Sequence, residues 1–215
     1  MFVLSQQNSI ANHFLADLRD INQQTDRLRF RTNLERLGQV LAYEISKSMD
    51  YEGSSVTTPL ADTTVNKIID QPIIISVMRA AMPFYQGVLS YFDQANSGFI
   101  GAYRKEESNN NEVEIEFNYL AAPSIENKEI ILVDPMLATG KSLITSIEQL
   151  HKNGTPKKVH IAAVIAAPEG IKHLEENLKL PYQLWLGAVD EKLNEKAYIV
   201  PGLGDAGDLC FGPKL

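Results

Sequence analysis

An α/β domain built on a mainly parallel sheet flanked by helices is predicted by two features of the sequence. Short, almost wholly apolar runs recur at Ile73–Val77, Ile130–Val133 and Val159–Ile165, which is the composition of strands covered on both faces. Helical periodicities follow these runs, over about Met82–Phe92, Gly140–Asn153 and Pro168–Leu178. Strands alternating with helices build parallel sheets.

In chain order, the first fifty residues read as helical. Phe14, Leu15 and Leu18 fall at helical spacing, with Asp17, Arg19 and Asp20 around them. A longer stripe follows from Asp26, through Leu28, Leu34, Leu37, Val40, Leu41 and Ile45, interrupted by arginines and Glu35. Gly53 and Pro59 then punctuate the chain before the first apolar run. Glu106–Asn111 is polar and turn-like, and Glu112–Tyr119 alternates acidic with apolar residues. The pair reads as a hairpin arm projecting from the sheet with a mobile tip; a plain surface hairpin without a role stays open beside it. Tyr182–Leu186 is a further strand, and Asp190–Leu215, rich in glycine and carrying Pro201 and Pro213, is irregular. No internal repeat or low-complexity linker divides the chain. One domain over 1–215 is therefore expected, with N-terminal helices over about 9–50, a core over about 70–187 and a C-terminal segment over about 188–215.

The formal charge of -7 gives no broad basic footprint, so nucleic acid is not expected as the main partner. Cys210 is the single cysteine, so no intrachain disulfide can form and nothing points to an oxidising compartment. The N-terminal residues show neither a basic flank nor a sustained apolar run, so no membrane association and a cytoplasmic location are expected.

The segment Ile130–Leu143 carries the chemistry. A buried strand ends at Asp134, Pro135-Met136-Leu137-Ala138 follow, and Thr139-Gly140-Lys141-Ser142 open a helix. Ligands collect at the carboxyl ends of strands in open α/β sheets. Helix N-termini offer unpaired N–H groups and a positive dipole end to phosphate. Thr139 and Ser142 add hydroxyl donors, Gly140 permits close backbone approach, and Asp134 suits a pair of sugar hydroxyls. A plain helix-capping turn would explain Thr139 and Ser142. It would not explain an aspartate, a proline, a glycine and a lysine packed into the same segment. A triphosphate-wrapping P-loop requires a glycine five positions before Gly140, and that position is Pro135.

The strand, the acidic residue and the Thr-Gly turn resemble the ribose-phosphate signature of the type I phosphoribosyltransferases. The form Val133-Asp134-Pro135-Met136-Leu137-Ala138-Thr139-Gly140 is similar to that of the uracil branch, in which proline replaces the second of two acidic residues. Downstream, Pro201–Gly207 holds three glycines and one proline in seven residues, a backbone that exposes its own N–H and C=O groups. Composition alone favours a ligand-free loop there. Tyr198–Asp208, however, resembles nearly the full uracil-recognition segment of the family, in the family's order. The resemblance implies a projecting β-arm and a C-terminal hood on the parallel sheet, and transfer of ribose phosphate from phosphoribosyl pyrophosphate to uracil.

By the same resemblance, Ile199, Gly204, Asp205 and Ala206 contact uracil, largely through main-chain groups. Arg79, Arg104, Asp134–Ser142 and Asp205 hold the ribosyl donor. Asp205 and Arg104 are the expected catalytic side chains. Arg79 follows the run Ile75–Met78 and matches an arginine of the family's pyrophosphate loop; Arg104, in Tyr103-Arg104-Lys105, matches a second. A guanidinium fork suits phosphate oxygens, whereas a lone arginine after a strand is otherwise a solvated charge. Magnesium is implied, bound through the substrate rather than by a protein cluster. The resemblance also implies a homodimer or higher homo-oligomer and leaves GTP as a candidate activator. Two other readings stay open: a uracil-nucleotide sensor or regulator on the same fold, with RNA as a candidate ligand, and a transferase for a different base.

The chain departs from the family pattern twice. Lys141 stands where a glycine or small residue is usual, and Ala81 ends Arg79-Ala80-Ala81 where glycine is usual. A left-handed backbone at Ala81 would be strained. His13, His151, His160 and His173 show no metal-ligand spacing, and His160, inside an apolar strand, is expected to be packed or hydrogen-bonded. Cys210 is expected to be buried rather than reactive. Arginines 27, 29, 31 and 36 read as a charged helix face, a subunit contact or an anion site.

Overall fold

The computed structural model describes residues 1–105 and 114–213, with side chains outside 102–118. In chain order the elements are β1 (Phe2–Val3), α1 (Ala11–Arg19), α2 (Arg27–Ser46), β2 (Tyr51–Thr57), β3 (Asp62–Ile68), β4 (Ile73–Met78), α3 (Met82–Leu89), β5 (Asn96–Lys105) and β6 (Glu114–Ala121). There follow β7 (Glu129–Val133), β8 (Met136–Leu137), α4 (Lys141–Leu150), β9 (Lys158–Ala166), α5 (Pro168–Asn177), β10 (Tyr182–Val189), β11 (Lys192–Leu193), β12 (Ile199–Val200) and α6 (Ala206–Phe211). The main sheet runs β1-β10-β9-β7-β4-β5-β6, with β8 also on β9. Its pairings are parallel except that of β5 with β6. The β5–β6 pair is the arm that the alternation predicted. Its tip, Glu106–Asn111, lies outside the described residues.

The apolar runs hide a period of two that only the two-sided sheet reveals. Ile74, Ile131, Val133, Ala162, Val164 and Trp185 face one core, shared with Leu15, Leu34, Leu41 and Phe84 of α1–α3. Ile73, Ile75, Ile130, Leu132, Ile161 and Leu184 face the other, shared with Leu143, Ile147 and Leu174 of α4 and α5. Each strand therefore buries both faces, which is why it lacks polar alternation.

The stripe from Asp26 is α2. The Asp26 carboxylate accepts from the Arg29 N–H at 3.0 Å and starts the helix. Leu34, Leu37, Leu41 and Ile45 are buried, whereas Leu28 in the first turn is 69% exposed and lies off the stripe. Helices α2 and α3 touch backbone to backbone. A Cβ added to Gly38 would stand 2.2 Å from the Phe84 carbonyl oxygen, and one on Gly87 only 2.0 Å from that of Glu35. Three of the four arginines of α2 bind within the chain. Arg29 pairs with Asp17 at 2.7 Å, Arg36 lies over the Phe14 ring and donates to Asn33, and Arg31 donates to the Cys210 carbonyl at 2.7 Å.

His160 is fully buried and bonded, as expected. Trp185 Nε1 donates to its Nδ1 at 3.0 Å, and its Nε2 meets Glu129 at 2.8 Å. Burial pushes the His160 pKa below its ordinary value, against the opposing pull of Glu129.

Three elements differ from the sequence expectation. Gly53 and Pro59 do not simply punctuate a loop: β2 and β3 pair antiparallel as a hairpin outside the main sheet. Val3 and Phe2 add an edge strand to β10. The tail is not wholly irregular, since it contains the β11–β12 pair and helix α6.

Candidate active site

β4 is flanked by β5 on one side and β7 on the other, so the chain after β5 and β6 returns past β4 to continue the sheet in the opposite direction. Loops leaving such neighbours diverge and open a crevice at the carboxyl ends of the strands. The loop after β4 begins at Arg79 and the loop after β7 at Asp134, with Ser76 and Val133 paired between the strands. Sequence and topology thus select the same edge of the sheet.

The second loop is wired into the sheet by its own backbone. Pro135 is buried and its carbonyl accepts from the N–H groups of Val164 and Ile165 at 3.0 and 3.1 Å. The Leu137 carbonyl accepts from Ala167 at 2.9 Å. The Asp134 carboxylate accepts the Met136 N–H at 3.1 Å and closes the turn. Gly140 starts α4 with φ +76°, and a Cβ there would also meet the Gly170 carbonyl oxygen at 2.9 Å. Glycine is therefore required on both counts. No side chain caps α4, so Thr139 and Ser142 do not serve as the plain capping turn would have them; Thr139 reaches only the Lys141 N–H, at 3.4 Å. A small concavity is lined by Asp134, Met136, Leu137, Ala138, Thr139, Gly140, Ser142 and Leu143. Pro135 is buried and not part of this lining, and Lys141 is exposed to solvent.

Arg79 projects toward the C-terminal segment. Its Nη2 donates to Asp208 Oδ1 and to the Gly212 carbonyl, each at 2.9 Å. Its Nε is buried and has no hydrogen-bond partner among the described residues. Ala81 has φ -71° and ψ -15°, an ordinary helical conformation, and is buried at the start of α3. The strain expected of alanine at this position is absent. Arg104 lies on β5, its backbone in register with Ile115; its side chain lies outside the described residues.

The C-terminal segment brings the remaining predicted residues to the same end of the sheet. Asp190 N–H, following β10, donates to the Ala166 carbonyl at 2.8 Å. Ala167, next to Ala166, binds Leu137, so two consecutive residues at the end of β9 tether both segments. Ile199 is buried on β12, and Gly204 is exposed with φ +89°. The Asp205 carboxylate caps α6 by accepting the Asp208 N–H at 3.0 Å, and Ala206 begins that helix, buried. A Cβ on Gly207 would stand 3.1 Å from Asp205 Oδ1 and 3.7 Å from Arg79 Nε, so these two predicted side chains flank one glycine. Cys210 is buried, which pushes its thiol pKa up to about 12.

Four polar residues secure this segment, and three of them carry no local sequence signal. Arg19 and Asp190 form a bidentate ion pair, with distances of 2.9 and 2.5 Å. The Glu169 carboxylate accepts the Leu193 N–H at 2.9 Å, which holds its pKa below the usual range. Asp208 receives Arg79. For Asp208 alone a cue existed: it follows the capping Asp205 by three residues, where an acidic side chain suits the first turn of a helix.

The sequence model of the family described as "Uracil phosphoribosyltransferase" matches residues 4–213. A uracil phosphoribosyltransferase of Porphyromonas gingivalis is 42% identical over 212 residues, covering 99% of this chain and 98% of that protein. One of Pyrococcus furiosus is 42% identical over 202 residues, covering 92% and 84%. A solved structure of a protein from Aquifex aeolicus superposes with a TM-score of 0.85 at 33% identity, over 96% of both chains. With the family's model spanning nearly the whole sequence and a relative of 42% identity covered almost end to end, the chain belongs to the uracil phosphoribosyltransferase family.

Proposed function

We propose that this protein transfers the 5-phosphoribosyl group of phosphoribosyl pyrophosphate to uracil, giving UMP and diphosphate in pyrimidine salvage. The observation that supports the reading is that Leu137 of the phosphate loop and Asp190, which opens the C-terminal segment, are bonded to the consecutive residues Ala167 and Ala166, while Ala138, Ile199 and Ala206 share one buried cluster, in a chain of this family. The loop and the start of α4 take the 5-phosphate, with Gly140 allowing backbone approach and Thr139 and Ser142 donating hydroxyls. Asp134 faces the ribose hydroxyls. Arg79 and Arg104 neutralise the diphosphate. Ile199, Gly204 and Ala206 present main-chain groups to uracil, and Asp205 lies where base and donor meet.

The reaction is a displacement at the anomeric carbon. A ring nitrogen of uracil forms the new bond as the bond to diphosphate breaks, and the nitrogen's proton is lost. No protein nucleophile takes part, so the residues act by orientation and by charge. Among the described residues no three His, Cys, Asp or Glu side chains group to hold a metal. Magnesium bound together with the donor would supply charge neutralisation of the leaving group.

The same reading treats 1–215 as one domain, with residues from about 188 as a hood over the base. No helix among the described residues is long and apolar enough to cross a membrane, and a cytoplasmic location is proposed. A homo-oligomer is proposed on the β2–β3 hairpin, which stands outside the main sheet with Leu60 96% and Val65 46% exposed; an unpacked two-stranded hairpin gains most from a covering partner. GTP is carried as a candidate activator.

Incubation of the pure protein with phosphoribosyl pyrophosphate, magnesium and each nucleobase in turn tests the proposal, with and without GTP. UMP from uracil is expected. Product from another base only would reassign the substrate, and tight RNA or UMP binding without turnover would favour the sensor.

A further inference from the structure

We infer that Arg19 and Asp190 are positioning residues for base recognition, acting through the peptide units on both sides of Gly202. The inference rests on the transferase reading above. Arg19 closes α1 and Asp190 follows β10, 171 residues later. Arg19 Nη1 donates to Asp190 Oδ2 and to the Gly202 carbonyl, both at 2.9 Å, and Nη2 meets Asp190 Oδ1. The Gly202 N–H donates to Asp190 Oδ2 at 2.8 Å. Carboxylate, guanidinium and both polar groups of Gly202 thus form one closed ring of hydrogen bonds.

This ring stands between the two stretches that would read uracil, Ile199 before it and Gly204-Asp205-Ala206 after it. The Asp190 side chain is only 3% exposed, and that of Arg19 26%. Charge-assisted bonds so shielded from water are strong and directional. Gln24 adds a bond from Nε2 to the Leu203 carbonyl at 3.3 Å, so the end of α1 and the turn before α2 grip two successive carbonyls of the turn. Recognition by main-chain groups has no side-chain rotamer with which to correct an error. Its selectivity depends on where the backbone is held, and here the holding falls to a pair remote in sequence.

The expected signature is a split between kinetic constants. In Arg19→Ala and in Asp190→Asn, KM for uracil should rise about tenfold, the loss expected for a charged hydrogen bond. KM for phosphoribosyl pyrophosphate and kcat should stay within about twofold. Discrimination between uracil and cytosine, as a ratio of kcat/KM values, should fall. The double variant should be no worse than the worse single one, because the two residues share one ring. Arg19→Lys keeps the charge without the fork and should lie between parent and Arg19→Ala.

Loss of folded protein alone would lower the apparent kcat for all substrates and leave KM and base discrimination unchanged; that result overturns the inference, as does unfolding of every variant including Arg19→Lys. A parallel rise in both KM values overturns it also. An inactive parent protein refutes the transferase reading instead, so the two failures are separable.

Discussion

Arg79 Nη2 stands 2.9 Å from Asp208 Oδ1, so the loop after β4 is joined directly to α6. The two side chains are 36% and 41% exposed, and an ion pair so placed is worth under about 1 kcal/mol. Asp208→Asn is therefore expected to lower unfolding free energy by no more than about 1 kcal/mol in urea titrations. Arg79→Ala should raise KM for phosphoribosyl pyrophosphate about tenfold or more, since it removes a proposed diphosphate ligand. Equal donor KM values for Arg79→Ala and the parent would remove Arg79 from the donor site.

Asp205 has a structural role and a proposed catalytic one, which a single substitution to alanine would confuse. Its carboxylate caps α6, so Asp205→Ala is expected to lose about 1 kcal/mol of stability along with activity. Asp205→Asn keeps a capping oxygen and removes the charge. It should unfold at nearly the parental denaturant midpoint while forming UMP at least about a hundredfold more slowly, as expected where a charge at the reacting centre is lost. Parental rates in Asp205→Asn would exclude a catalytic role for the charge.

Gly140→Ala tests the phosphate loop. The left-handed φ and the 2.9 Å approach to Gly170 both oppose a side chain. A loss of roughly 1–3 kcal/mol is expected, with donor binding weakened more than uracil binding. Stability and donor KM that both match the parent would show that the loop relaxes freely.

Stability should fall on mild acidification. The folded-state pKa of His160 lies below its ordinary value of 6.5 because burial opposes the charge. Below about pH 6.5 the unfolded chain takes up a proton that the folded one refuses, so folding weakens as pH falls toward the folded-state pKa. This site contributes a slope of at most about 1.4 kcal/mol per pH unit. Urea unfolding between pH 7 and 5 should show a shallower dependence in His160→Gln than in the parent; identical slopes would assign the effect to other groups.

The Cys210 thiol should be inert in the native protein. With its pKa near 12 and its side chain buried, it should resist a thiol-specific reagent at pH 8 and react fully in urea. Rapid native labelling would mean that α6 opens readily.

What could be read in advance divides along physical lines. The buried strands were legible because covering both faces demands uninterrupted apolar residues, as in Ile73–Val77. The loop Asp134–Gly140 stood out because an aspartate, a proline and a glycine crowd one short stretch, where Asp134 closes the turn and Gly140 starts α4. β2 and β3 were not, because most of their side chains are exposed on both faces and Ser54, Ser55, Thr63 and Thr64 carry no period of burial. Helix α6, with six residues, is too short for a periodic stripe. The backbone contact of Gly38 and Gly87 and the ring joining Arg19 to Asp190 link residues far apart in the chain, and no local pattern encodes them.

The adjacency of β4 and β7 has a consequence for how such a site can vary. Their backbone ladder holds the two strands about 4.8 Å apart, and the proposed diphosphate and ribose-phosphate ends of the donor leave from their tips. The sheet is thus a ruler whose gradations are peptide hydrogen bonds, and no exchange of side chains can lengthen it. Substitutions can change what the loops grip, but the gauge between them is inherited from the peptide backbone.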